Sequence, residues 1–156
     1  MKIPLNIRDR FGDFAPVTYI KIKAPRRFRL RPFRLETLLD TGSPWTVLTP
    51  SGSKLLNLNE HQLSKLDKPD EYPNVLLGGN KFYRRLMKDV TLYFRDIHGK
   101  PINFDPDEIN ILEPMTEIKE EMLQLDFHII IGVDFLKEFN LGFYFNPSNE
   151  EAYLEK

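Results

Sequence analysis

Leu38-Leu39-Asp40-Thr41-Gly42-Ser43 is the stretch on which the reading of this chain turns. Two apolar residues lead into Asp, Thr and Gly, the residue types of a tight turn at a strand end. Average composition alone places such a triplet in roughly a few per cent of chains this long. The triplet therefore suits an ordinary turn as well as a catalytic carboxylate, and it occurs once.

Working outward, His128-Ile129-Ile130-Ile131-Gly132-Val133-Asp134-Phe135-Leu136-Lys137-Glu138-Phe139 reads as a short apolar strand, a glycine turn and a helix opened by an acidic residue. A buried strand followed by an amphipathic helix would read the same way. Between the two stretches, Val75-Leu76-Leu77-Gly78-Gly79-Asn80-Lys81-Phe82-Tyr83 is a hairpin with a Gly-Gly-Asn tip, a feature common to many β proteins. Apolar alternation and turn residues predict strands near 2–8, 17–23, 33–39, 45–49, 74–78, 81–87, 89–96, 101–104, 109–112, 128–131, 142–146 and 151–154. Asn59 with Gln62 three positions later predicts a short helix over 59–66. Ile118, Met122 and Leu125 on one face predict another over 116–125, and a third follows over 134–140.

In this order and spacing, the triplet, the glycine-tipped hairpin and Ile130-Ile131-Gly132 before a helix resemble the retropepsin-like family of single-lobed aspartic proteases. The resemblance covers residues 17–154. It implies a mostly β fold, the retropepsin-like acid protease barrel, with a short C-terminal helix and one or two inserted helices. It also implies an aspartic endopeptidase that hydrolyses peptide bonds with a water held between two Asp40 carboxylates. These share one proton, since like charges about 3 Å apart cannot both ionise. With one triplet per chain, each subunit of a homodimer supplies one carboxylate on the twofold axis. Asp40, Thr41 and Gly42 are then the catalytic residues, Thr41 bonding across the dimer and Gly42 leaving room for substrate backbone. Ser43, Leu76, Leu77, Gly78, Gly79, Asn80 and Ile131 are the expected substrate-binding residues, with the hairpin as a flap over the peptide. Leu39, Val47, Leu76, Leu77 and Ile131 are expected to wall an apolar cleft. No metal or cofactor is expected.

Two positions depart from the retroviral members, which commonly carry a paired Asp and Arg where this chain has Pro44 and Val133. Losing both together leaves no orphan buried charge, and the chain resembles cellular and prokaryotic members more than retroviral ones. The Ser43 hydroxyl is placed to bond the outer oxygen of Asp40 or to shape the turn. The alternative function is a catalytically silent, dimeric binding or scaffold module of the same fold.

Composition narrows the classes. With 156 residues, 41% of them hydrophobic, the chain is expected to form a single domain over 1–156. The absence of cysteine excludes disulfides, thiol catalysis and Cys-ligated zinc. His61, His98 and His128 show no metal-ligand spacing. No segment reads as a signal peptide or a membrane span, so a cytoplasmic protein without membrane partners is expected. Charge is lopsided: residues 1–34 hold ten Lys or Arg against two acids, net +8, and residues 101–156 hold three bases against thirteen acids, net −10. Arg26-Arg27-Phe28-Arg29-Leu30-Arg31-Pro32-Phe33-Arg34 suggests nucleic-acid binding, but a solvated hairpin with an Arg face is the simpler expectation. In retropepsins the chain ends pair in a sheet across the dimer, and oppositely charged ends would favour that pairing.

Overall fold

A computed structural model describes residues 1–10, 13–115 and 127–156. The chain opens with β1 (Lys2–Arg10), antiparallel to β2 (Asp13–Lys23), which in turn pairs with β3 (Leu35–Leu39). β3 runs parallel to β10 (Ile129–Ile131), and β10 pairs antiparallel with β4 (Val47–Leu48). β4 lies parallel to β9 (Glu108–Pro114); β9 pairs with β6 (Asn80–Lys88) and β6 with β5 (Asn74–Leu77). On the other side of β1 lie β12 (Glu151–Glu155) and then β11 (Gly142–Asn146). β7 (Thr91–Arg95) pairs with the far end of β2 and carries β8 (Pro101–Phe104). The mostly β architecture is as expected. The barrel is not closed, because the path of paired strands has two ends, at β11 and β5.

Three short α-helices accompany the strands among the described residues. In α2 (Glu60–Leu63) the amide of Gln62 donates to the Asn59 side chain at 2.9 Å, and the Asn59 amide donates back to Gln62 at 3.0 Å. This is the reciprocal cap that the Asn59–Gln62 spacing implies. α3 (Val133–Glu138) follows Gly132 as expected. α1 (Pro50–Leu55) was not expected; Thr49 caps it and Pro50 occupies its first turn, where a missing N–H costs nothing. The helix expected over 116–125 lies outside the described residues.

Burial follows a period of two with a consequence for the centre of the sheet. In β10, Ile129 and Ile131 enter the main core while Ile130 joins a second cluster with Val47, Phe82 and Leu112. Leu39 and Leu48 likewise face the main core, and Leu38 and Val47 the second cluster. Strands apolar on both faces read as continuous runs, which is why three isoleucines follow one another here. α3 packs on the main core through aromatics: the Phe135 ring centroid lies 5.1 Å from Phe104, 5.7 Å from Phe94 and 4.8 Å from Phe139.

Two local expectations differ. Between β2 and β3 there is no Arg-faced hairpin arm; Arg26–Phe28 form one 3₁₀ turn, and Arg29 is left-handed at φ 49°. Pro25 and Pro32 flank this stretch, and neither can donate to a ladder. The chain ends pair, but within the chain: Lys2 faces Glu155, the terminal amine donates to the Lys156 carbonyl at 3.1 Å, and Lys2 reaches Glu151 at 3.5 Å.

Candidate active site around Asp40

Asp40 follows the last residue of β3, and its amide donates to the Ile131 carbonyl at 3.0 Å. The loop then folds on itself. The Gly42 amide donates to Asp40 Oδ1 at 2.8 Å, and the Ser43 amide donates to the Asp40 carbonyl at 3.1 Å. The carboxylate is half-buried, whereas Thr41 and Gly42 are exposed beside it. The Ser43 hydroxyl donates to the Trp45 carbonyl at 2.7 Å, so it shapes the turn and is not aimed at Asp40.

The loop rests on the start of α3. The amides of Val133 and Asp134 donate to the carbonyls of Ser43 and Pro44 at 2.9 and 3.3 Å. A Cβ at Gly132 would lie 2.5 Å from the Trp45 backbone, so only glycine lets the two segments meet. Asp134 then turns back beneath the loop. Its Oδ2 accepts from the Thr46 amide at 2.8 Å, while its Oδ1 accepts from the Thr46 hydroxyl and the Phe135 amide, both at 2.8 Å. The Thr46 hydroxyl also accepts from the Gly132 amide at 3.1 Å.

A buried arginine extends this support. Arg84, only 6% exposed, donates from Nε to Asn110 Oδ1 at 2.9 Å and from Nη1 to the Tyr72 carbonyl at 2.9 Å. Asn110 passes the contact on, its side chain and its amide each donating to the Thr46 carbonyl at 3.1 Å. The guanidinium lies 3.9 Å from the centre of the Trp45 ring. Burial pulls Arg84 below the usual arginine range, against the opposing fields of Glu108 and Asp134.

The hairpin of β5 and β6 turns through Gly78 and Gly79 at φ 57° and 79°, and Leu77 faces Asn80. Two consecutive positive φ angles in a two-residue turn are what the Gly-Gly tip supplies. Val75 and Leu77 pack onto the second cluster with Leu38 and Trp45, which joins the hairpin to the Asp40 loop; Leu76 points away, 67% exposed. Ile131 is not a cleft residue: at 1% exposure it lies in the main core, and it supports Asp40 only through its carbonyl. Leu39 is likewise a core residue. The hollow bordering the loop, about 580 Å³, is lined by Thr41, Gly42, Pro44, Trp45, Val133, Asp134 and Lys137. Thr46, Arg84, Asn110 and Asp134 carry the loop and were not singled out in the sequence. Asp134 alone left a signal, as the acid that opens the helix after Gly132.

No family model and no curated protein sequence matches the chain. Among solved structures it is similar to the crystal structure of a retropepsin-like aspartic protease from Rickettsia conorii, with TM-score 0.54 and 16% identity over 99% of this chain and 89% of that one. The retroviral protease-like domain of Ddi1 from Leishmania major also matches, with TM-score 0.42 and 13% identity over 81% and 79%. Strand order, the C-terminal helix beneath the Asp40 loop and the first of these matches agree: the chain has the retropepsin-like fold.

Proposed function

We propose that the chain is an aspartic endopeptidase, active as a homodimer. The observation that carries this reading is the Asp40 loop: a half-buried carboxylate whose turn is bonded from below by Ile131, Val133 and Asp134, and whose outer residues stay exposed. Such bracing holds a catalytic oxygen in place before substrate arrives. The open hollow beside Thr41 and Gly42 suits a second copy of the loop.

In the dimer, Asp40 and the partner subunit's Asp40 share one proton. The charged carboxylate takes a proton from water as the water oxygen adds to the peptide carbonyl carbon, and the protonated one donates to the carbonyl oxygen. The carboxyl that took the water proton then gives it to the amide nitrogen while the other carboxylate takes one back from a gem-diol hydroxyl; the C–N bond breaks, yielding a carboxylic acid and an amine and restoring the one-proton dyad. Thr41 steadies the paired loops. The hairpin tip at Gly78, Gly79 and Asn80, with Leu76 and Leu77, closes as a flap over an extended, apolar-flanked peptide.

Asp40→Asn tests this reading. Digestion of a peptide library, with and without a statine-type transition-state mimic, should show cleavage by the native protein, its inhibition, and its loss in Asp40→Asn with the oligomeric state kept. Cleavage that persists in a clean Asp40→Asn preparation would refute the assignment, and a native protein that binds the mimic without cleaving any peptide would favour the silent binding module.

A further inference from the structure

Residues 21–34 contain seven Lys or Arg and no acid. The alternation of Arg with Phe and Leu would send these charges to one face of a hairpin, but no strand forms across residues 26–34. Phe28 is instead buried in the main core, its carbonyl accepting from Gln62 Nε2 at 2.8 Å, and Leu30 packs partly beneath. The Arg31 amide is tied to the Leu56 carbonyl at 3.0 Å. Lys21, Lys23 and the five arginines of residues 26–34 are all exposed, and none forms an ion pair with another described residue. The loop is thus pinned by its apolar residues and displays its cations outward.

Its C-terminal end meets a hollow of about 320 Å³. Lys21, Arg34 and Arg95 line it together with Tyr19, Tyr93 and Asn6, and no acidic side chain does. Lys21 pairs in register with Tyr93, and Tyr19 lies two residues along β2, on the same face. Tyr19 is 47% exposed, and Phe33, next to Arg34, is 46% exposed. Arg34 and Asp40 flank β3 at opposite ends, about 20 Å apart along the strand. The hollow is therefore separate from the candidate active site.

We propose that this surface binds single-stranded nucleic acid, its phosphates on the arginine loop and a base in the hollow against Tyr19 and Tyr93. Guanidinium forks suit phosphate oxygens. Exposed rings beside a cationic track are the stacking platform that unpaired bases use.

The test is fluorescence anisotropy on the full chain with labelled, mixed-sequence RNA and DNA single strands of about twelve nucleotides. Affinity should fall with salt at a log–log slope of about −2 to −4, for some three to six phosphates. Joint Arg26→Gln, Arg27→Gln and Arg31→Gln should flatten that slope by about 2. Tyr19→Leu with Phe33→Leu should keep the slope and weaken binding about ten-fold. Asp40→Asn should bind as the native protein does, which separates this result from the peptidase reading. Displacement by polyglutamate as effective as by oligonucleotide would overturn the proposal in favour of an acidic protein partner. Tighter binding to duplex than to single strand, unchanged affinity in the Tyr19 and Phe33 variant, or no binding at low salt would each overturn it as well.

Discussion

At the residue scale, Asp134 braces the turn that follows Asp40, its two carboxylate oxygens accepting from the Thr46 amide and hydroxyl. One Asp134 side chain satisfies three donors, two on Thr46 and the amide of Phe135. Asp134→Ala leaves those donors without their acceptor, and each part-buried group so orphaned costs about 1–3 kcal/mol. Its urea midpoint should therefore fall by the equivalent of about 2–4 kcal/mol, within the range for breaking such a network. Asp134→Asn should fall less, because one oxygen still accepts. Peptide cleavage should drop further than stability in both variants, since the same bonds hold the Asp40 loop. Equal midpoints for Asp134→Ala and the native chain would remove Asp134 from this role.

Among the elements, the hairpin and the edge strand make separate predictions. Gly79 has φ 79° and nothing within 4 Å of where a Cβ would stand, so any penalty there comes from the backbone alone. Gly79→Val should cost about 1–2 kcal/mol locally and lower turnover more than global stability, read as kcal against the urea midpoint. Full turnover would separate the hairpin tip from catalysis. β11 lies at one end of the sheet path, carries no charged residue and holds stacked rings, Phe143 on Phe145 and Tyr144 on Tyr153. Because the chain ends already pair with each other, β11 is left as one open edge of the sheet, and in the proposed homodimer a second copy is expected to add its strand there. Phe145→Glu should place like charges across that seam and raise the dimer dissociation constant, measured by sedimentation, with an unchanged circular dichroism spectrum.

At the scale of the whole molecule, His128 ties stability to pH. Its Nδ1 accepts from the Glu36 amide at 3.0 Å and its own amide donates to the Glu36 carbonyl at 2.9 Å, just before β10. Burial lowers its pKa below the ordinary 6.5, so the folded chain favours the neutral ring. The unfolded chain takes up the proton first as pH falls. Stability is accordingly full above about pH 6.5 and declines below it until the folded ring also protonates. Thermal melts should show the decline as pH falls below about 6.5, and His128→Asn, which keeps an acceptor but does not titrate, should flatten it. The proposed shared-proton dyad would titrate as a pair, and protonation of His128 lowers stability on the acid side.

Much of the molecule was legible locally. The Asn59 cap, the Gly78-Gly79 turn and the strand alternation are set by residues within a few positions of one another, so the sequence by itself determined most elements and placed Asp40 at a strand end. The order and spacing of the triplet, the hairpin and Ile130-Ile131-Gly132 also marked the family likeness, though not the contact of that segment and α3 with the loop. Only the tertiary structure decided that Ile131 is core and not cleft, that Ser43 bonds Trp45, that the chain ends pair within one chain, and that Arg84, Asn110 and Thr46 carry the loop. It also decided that the arginine stretch is a pinned loop and not a hairpin. Each of these depends on partners distant in the chain, whose meeting burial and hydrogen-bond satisfaction enforce and no local periodicity records.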